Sequence, residues 1–201
     1  SRGLGDVYKR QGFSQLIASE PNMDEDTRKE FSAIIQKNTE ELMQLVNDVL
    51  DLSRLEANMM KFQIQEYDAV ALCNDAIYMA RMRNEETIEI YFDTHIETQP
   101  ITTDTGRLIQ ALVSTLTYPQ KNTAHREITF TLTRDDSGKQ ICFRISNSPL
   151  ADPEFNSQEV SIRHDINRLL LQHFGGSYNI TADEQERPVI NFTYPLDIIS
   201  E

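Results

Sequence analysis

The sequence contains few of the residues that mark secreted or membrane-spanning proteins. It has no tryptophan, seven glycines and two cysteines among 201 residues. Two cysteines, Cys73 and Cys142, are too few for a disulfide framework, which favours a reducing compartment. No apolar run approaches the roughly 18 residues that a membrane-spanning helix needs, and the N-terminus lacks the apolar core of a signal peptide. We therefore expect one or two small soluble domains.

Basic residues are also scarce. Nineteen lysines and arginines stand against 32 acidic residues, which gives a net charge of −13. Such a surface repels phosphates, and no local basic patch offsets the repulsion. The balance therefore argues against binding to nucleic acid and against contact with an anionic membrane. The hydrophobic content of 39% is sufficient for a buried core.

A long helical pattern runs from about Asp26 to Ala57, without glycine or proline. Its apolar residues recur at alternating spacings of four and three, and further apolar residues widen the stripe. A wide stripe favours a helical bundle over a two-stranded coil, and Asn38 lies in its seam, where it can fix register. The stripe comprises Phe31, Ile35, Leu42, Leu45, Val49 and Leu52, widened by Ile34, Val46 and Leu50.

Strand and helix patterns alternate after this helix, which predicts a mixed α+β domain. We expect Asp68 and Asp104 to begin helices, Pro119 to break the second of them, and Gly175-Gly176 to end a third. The segment 147–160, with two prolines, is expected to be a loop. The predicted strands are 61–67, 87–92, 101–103, 127–133, 140–146, 177–181 and 189–194, and the predicted helices are 69–83, 104–118 and 161–174.

The first eleven residues, SRGLGDVYKRQ, resemble the translation of a transposase adaptor used to prepare sequencing libraries. The resemblance is to a nucleotide sequence and not to a protein. It implies that residues 1–11 are not native, that fold reasoning starts at Gly12, and that the chain is a piece of a longer protein. The alternative is a natural flexible N-terminus.

The segment Leu42–Ala57, LMQLVNDVLDLSRLEA, resembles the second dimerisation helix of sensor histidine kinases. The preceding GFSQLIA resembles the end of the first helix of that domain. The later elements follow the order of the same family: Asp104, Arg107, Leu108 and Gln110 fit its D-x-x-R-L-x-Q helix opening, and Gln172, Gly175 and Gly176 fit the end of the helix after its lid. The resemblance extends from Gly12 to Leu196. The alternative is an unrelated helical hairpin joined to an α+β domain.

The resemblance implies an α+β fold with two parts. Residues 12–58 would form a helical hairpin, which is half of a dimeric four-helix bundle and here has a truncated first helix. Residues 59–197 would form a two-layer α/β sandwich of the histidine-kinase ATP-binding type, and 198–201 a tail. It further implies two-component phosphorelay signalling, from ATP to a histidine and then to a response-regulator aspartate, in the cytoplasmic part of a membrane-anchored bacterial sensor.

The family's phosphoacceptor histidine would fall at Ser1, so the acceptor is absent from this chain and we predict no catalytic residue in it. The chain's own histidines lie outside that pattern and are expected to be surface or packing residues. No ligand spacing links them, so we predict no metal site. They are His95, His125, His164 and His173.

The family's nucleotide motifs are altered. Glycines normally allow backbone N–H groups to approach the phosphates of ATP–Mg²⁺. Here Pro149 and Ala151 replace two of them, and Ser161–His164 aligns with the lid without any glycine. Ser114 and Tyr118 stand where the family has asparagines, and Pro119 where it has alanine. Two positions can still contribute to a vestigial ATP site: Lys121 matches the family's lysine, and Asn147 can accept a hydrogen bond from an adenine amino group.

Three functions therefore remain open. In the first, the chain is part of a sensor histidine kinase that forms a homodimer through the helical hairpin and docks a response-regulator receiver domain, with ATP and Mg²⁺ as the family's cofactors. Alternatively it is a non-catalytic pseudo-kinase module that transmits conformation, or a plain dimerisation scaffold. Binding of nucleotide by this chain distinguishes the first two.

Overall fold

The computed structural model describes residues 24–84, 88–119 and 124–196. The chain divides into two compact units between Leu50 and Asp51. The predictions for the adaptor-like segment, for the first bundle helix, for Lys121 and for the C-terminal tail lie outside the described residues.

The long predicted helix is present as α1, Glu25–Glu56. Asp24 begins it, because its carboxylate accepts hydrogen bonds from the backbone N–H of Thr27 at 2.8 Å and from the Thr27 hydroxyl at 2.7 Å. These bonds lower the pKa of Asp24, the backbone bond most. Asn58, at φ 52°, follows the helix in the left-handed conformation that asparagine tolerates.

Much of the apolar stripe of α1 is exposed. The exposed members are Leu42, Val46, Val49 and Leu50, each between 39% and 47% accessible. The sequence predicted a stripe that faces a helical bundle, and exposed apolar side chains of this kind can be covered by a partner helix. No helix among the described residues has both the length and the apolar character to cross a bilayer.

The second unit contains seven strands and three further helices, in the predicted order. Two short 3₁₀ turns, Pro149–Ala151 and Pro153–Phe155, connect β5 to α4. The elements are β1 Ile64–Asp68, α2 Ala69–Asn84, β2 Ile88–Thr94, β3 Pro100–Asp104, α3 Thr105–Leu116, β4 Arg126–Arg134, β5 Gln140–Ser146, α4 Gln158–His173, β6 Ser177–Ala182 and β7 Pro188–Pro195.

Five strands form the main sheet in the order β2-β4-β5-β7-β6, and β1 pairs with β3 in a separate ribbon. Only the β2–β4 pair of the main sheet is parallel. Alternate side chains of the central strands point into one core with α2, α3 and α4, which confirms the α+β class and the two-layer arrangement. The fully buried members of the sheet include Ile128, Phe130, Leu132, Ile141, Phe143, Ile145, Phe192 and Tyr194.

Several predicted boundaries are wrong: β1 begins at Ile64 and not at Lys61, and one end of each of two helices also differs. The helix α4 begins at Gln158 and not at Ser161, because the Ser157 hydroxyl accepts the backbone N–H of Val160 and caps the helix earlier. The loop 147–160 is correspondingly shorter. The helix α3 ends at Leu116, and Thr117 is already extended, so the helix stops before it reaches Pro119.

Candidate functional site

The candidate site lies where β5 ends and where α3 ends. Asn147 follows β5 with φ 60°, a left-handed conformation. Its side-chain nitrogen donates to the Glu127 carbonyl at 2.9 Å, and its backbone N–H donates to the Pro188 carbonyl at 2.8 Å. These bonds fix Asn147 between β4 and β7. They engage the side-chain nitrogen, whereas the sequence analysis expects the side-chain oxygen to accept a hydrogen bond from an adenine amino group.

Arg126 occupies the acceptor side of Asn147. Its Nη1 lies 3.3 Å from the Asn147 carbonyl oxygen and 3.5 Å from Oδ1. The other terminal nitrogen forms an ion pair with Asp152, and both side chains of this pair are about 15% exposed. The guanidinium carbon also lies 5.7 Å from the centre of the Tyr118 ring. Arg126 thus connects the turn after β5 to the residue beyond α3.

Aromatic rings close the same region. Tyr118 and Phe155 meet edge to face, with 5.6 Å between ring centres. The Tyr118 hydroxyl donates to the Ala124 carbonyl at 2.8 Å. We call Tyr118, Arg126, Asn147, Asp152 and Phe155 the Tyr118 cluster. Its side chains bind one another, and two of them, Tyr118 and Asn147, stand at positions where the family resemblance placed the nucleotide motifs.

The last turn of α3 is joined to its surroundings by two hydroxyl groups. Ser114 Oγ donates to the Ala111 carbonyl at 2.6 Å and accepts the side-chain N–H of Asn167 on α4 at 3.1 Å. Ser148 Oγ donates to the Thr115 carbonyl at 2.6 Å and is fully buried. The Ser114 hydroxyl therefore joins α3 to α4 through its hydrogen bond with Asn167.

The segment 161–164, which the resemblance aligned with the lid, lies in the first turns of α4, within the helix that the sequence predicted. Arg163 Nη2 bonds Glu159 Oε1 at 2.7 Å. His164 Nδ1 lies 2.6 Å from the Tyr178 hydroxyl, and burial lowers the pKa of the imidazole. The helical conformation and these partners hold both side chains on α4.

The other end of α3 carries the D-x-x-R-L-x-Q motif. Asp104 caps the helix by accepting the backbone N–H of Arg107 at 3.0 Å, and it also accepts the backbone N–H of Gln63 at 2.8 Å. Arg107 forms an ion pair with Asp51, and the second oxygen of that carboxylate lies 3.6 Å from Arg54. The sequence identified the motif, but no local pattern pointed to its partner 56 positions away.

The second matched motif has a packing role. Gly175 lies at φ 75°, and a Cβ on Gly176 would stand 2.1 Å from the Thr193 carbonyl oxygen, so no other residue fits there. Nearby, Phe62 stacks on His173 with 4.3 Å between ring centres. A cavity of 230 Å³ opens beside this pair and is lined by residues that include Leu55 and Gln172.

One group in the described part of the chain has metal-binding side chains close together. Glu89, His125 and Glu127 place one ligand atom each within 4.8 Å of the others. Parallel register sets Glu89 beside Glu127 on β2 and β4. All three are exposed, and nothing besides their proximity points to an ion. The sequence analysis had linked no histidine to metal ligands, because this grouping depends on the pairing of two strands.

Comparison with known proteins gives consistent results. No protein-family model matches the chain. Hybrid signal transduction histidine kinase A of Dictyostelium discoideum is 27% identical over 127 residues, which cover 63% of this chain and 6% of that protein. Autoinducer 2 sensor kinase/phosphatase LuxQ of Vibrio cholerae is 33% identical over 108 residues, which cover 52% of this chain and 12% of that protein. The chain thus spans a small part of these relatives.

Solved structures extend the likeness to both units. The Acinetobacter baumannii histidine kinase AdeS has a TM-score of 0.71 at 14% identity, covering 96% of this chain and 95% of that one. Histidine kinase ThkA in complex with response regulator protein TrrA scores 0.69 at 15% identity, covering 98% and 59%. Full-length ShkA in complex with AMPPNP scores 0.63 at 18% identity, covering 99% and 46%. The chain is thus similar in sequence to sensor histidine kinases over half of its length or more, and it has the fold of solved histidine kinases.

Proposed function

We propose that the chain serves in two-component signal transduction, as the part of a sensor histidine kinase that dimerises and meets a response regulator. The match of both units to histidine kinases carries this proposal. One of the structural neighbours is a complex of a histidine kinase with a response regulator, which supports a receiver domain as a partner. The relatives in sequence bear the names of sensor and hybrid kinases.

The exposed stripe of α1 supports the dimer. Val46, Val49 and Leu50 are nearly half exposed, and apolar side chains in a row are stabilised when a second helix covers them. We propose a second copy of the chain as that partner, in a four-helix arrangement.

The support for nucleotide binding by this chain is weaker than the support for a dimer. A neighbour with AMPPNP supports ATP as the cofactor of the family. In this chain the proposed contacts reduce to Asn147 and Lys121. Asn147 already donates to Glu127 and faces Arg126, so an adenine amino group would compete with a guanidinium for the same amide oxygen. No phosphoacceptor histidine is present in the family's pattern, so we expect no autophosphorylation.

A second candidate function is a non-catalytic module that transmits conformation. The Tyr118 cluster favours it. The cluster ties Asp152 and Phe155 to Arg126 and Tyr118, and Tyr118 stands where the family resemblance places a nucleotide-site asparagine. Binding of ATP there would require the ion pair and the ring contact to separate first, which lowers the apparent affinity.

The two candidates differ in their response to nucleotide. The melting temperature is measured with and without millimolar ATP and Mg²⁺. A ligand at 100 times its Kd adds about 2.7 kcal/mol, which raises the melting temperature by several degrees at this chain length. An unchanged melting temperature supports the non-catalytic module, and a rise supports the nucleotide-dependent kinase. Acid-labile phosphate on the chain after incubation with radiolabelled ATP would contradict the absence of an acceptor.

A further inference from the structure

We propose that Arg107 is a positioning residue, through which α3 couples the last turns of α1 to the Tyr118 cluster. The coupling concerns the protein without nucleotide. It therefore adds to the proposed function and is tested separately from it. All the residues involved lie in the second unit, from Asp51 onward.

The first contact is the ion pair between Arg107 and Asp51. The Asp51 side chain is 12% exposed and that of Arg107 is 30% exposed. A carboxylate this deeply buried is strongly destabilised without its counter-ion. Arg54 lies 3.6 Å away but is 57% exposed, so solvent screens much of its charge. Arg107 is thus the main partner that holds residues 51–56 against the start of α3.

The helix α3 can transmit a displacement because it is short, capped and buried. Its 12 residues span about 18 Å, and Asp104 caps the first turn. Leu108, Leu112 and Leu116 are at most 2% exposed along its length. Close-packed helices of this kind move as one body between discrete arrangements instead of deforming gradually.

The far end of α3 holds the Tyr118 cluster in place. The Thr115 carbonyl accepts the buried hydroxyl of Ser148, which starts the segment that carries Asp152 and Phe155. Tyr118, two residues past the helix, then meets Phe155 and the guanidinium of Arg126. A movement of α3 would displace the Thr115 carbonyl and the Tyr118 ring together.

The helix α3 therefore lies between two ion pairs. Arg107–Asp51 is at its start, and Arg126–Asp152 is in the Tyr118 cluster beyond its end. Loosening the Arg107–Asp51 pair should loosen the Arg126–Asp152 pair, and the reverse should hold by reciprocity of coupling. Contiguity alone is no proof of coupling, so the test must measure an effect at the far end.

Amide hydrogen exchange of the purified chain, read by mass spectrometry, provides that measurement. The variant Arg107→Gln should accelerate exchange in residues 149–157 by more than about twofold, which is the largest departure from additivity that distant, independent sites usually show. The variant Asp152→Asn should accelerate exchange in residues 52–58 to a similar degree. The matched control Arg54→Gln removes the exposed arginine from the same carboxylate and should leave residues 149–157 unchanged.

Strands β6 and β7 report whether a variant merely destabilises the whole unit. The coupling is supported when their exchange stays at the wild-type rate while the far end of α3 opens. It is overturned when Arg107→Gln affects only residues near positions 51–63 and 104–110. If exchange in β6 and β7 also accelerates, the double variant Arg107→Gln/Asp152→Asn decides between the two outcomes. A double variant whose exchange rate equals the product of the two single effects, within about twofold, overturns the coupling, and a larger departure supports it.

Discussion

The two units of this chain reach their structures in different ways. The helix α1 is stabilised by local contacts, such as the Lys29–Glu25 pair at 3.0 Å and the Gln36–Glu40 hydrogen bond at 2.9 Å, and it exposes its apolar stripe. Each such pair contributes about 0.2–0.5 kcal/mol. The α+β unit instead buries its large side chains completely among residues far apart in sequence. The first unit thus exposes apolar side chains that a partner can cover, and the second buries a core of its own.

The largest expected contrast comes from removing one side chain in each unit. Phe143→Ala empties a fully buried position of the sheet and should lower the free energy of unfolding by about 3–5 kcal/mol. Val49→Ala shortens a side chain that is 47% exposed and should change it by no more than about 0.5 kcal/mol. Urea unfolding followed by circular dichroism measures both values. Equal losses would erase the distinction between the units.

Self-association sharpens the comparison from the side of α1. Val46→Asp places a charge in the stripe and should weaken the dimer by about 10- to 100-fold, because the burial of one aliphatic side chain is lost. The neighbouring Asn47→Asp adds the same charge outside the stripe and serves as the control. Sedimentation velocity over a range of concentrations gives the dissociation constants. A dimer that is equally strong in both variants would show that α1 is covered in some other way.

Local signals also matter in the α+β unit, and Asp104 tests how much. Asp104→Ala removes the cap of α3 and leaves the Gln63 N–H without its acceptor, so we expect a loss of about 1–2 kcal/mol in unfolding free energy. Asp136→Ala, at an exposed turn position, should cost less than about 0.5 kcal/mol. Thermal and urea unfolding of the two variants in parallel provide the measurement.

The smallest effect concerns pH. Burial lowers the pKa of His164 from its ordinary 6.5, and the neighbouring Arg168 charge lowers it further, while the Leu150 backbone and Asp165 oppose the shift. The unfolded chain therefore binds a proton more readily than the folded one just below pH 6.5, so stability falls as the pH decreases through that range. The loss in unfolding free energy between pH 7.5 and pH 5.5 should be smaller in His164→Gln than in the wild type. An identical pH dependence would contradict the assignment.

The sequence predicted the elements whose signals are local. Alternation identified β5 at its observed bounds and β4 within one residue at each end, because one face of each strand is buried. The capping role of Asp104 and the glycine pair after α4 were predicted from residue type, and the structure confirms both. The early start of α4 at Gln158 was missed, although Ser157 is a standard capping residue, because the two prolines of 147–160 favoured a loop up to residue 160.

The candidate site was predictable only in part. Residue type alone showed that Pro149 and Ala151 remove two glycines and that Tyr118 is bulky at its position. The partners of Tyr118 could not be predicted, because the Arg126–Asp152 pair joins residues 26 positions apart and no periodicity connects them. The Arg107–Asp51 pair could not be predicted for the same reason, because β1, α2, β2 and β3 all lie between its two helices in the sequence.

The α+β unit has the fold of histidine-kinase catalytic domains, and we propose that the Tyr118 cluster excludes nucleotide from it. An ¹⁵N-labelled sample titrated with AMPPNP and Mg²⁺ tests this most directly by nuclear magnetic resonance. We predict that the backbone signals of residues 114–118 and 147–157 keep, at millimolar nucleotide, the positions that they have without nucleotide. Saturable shifts confined to those two segments would contradict the claim and restore a working nucleotide site.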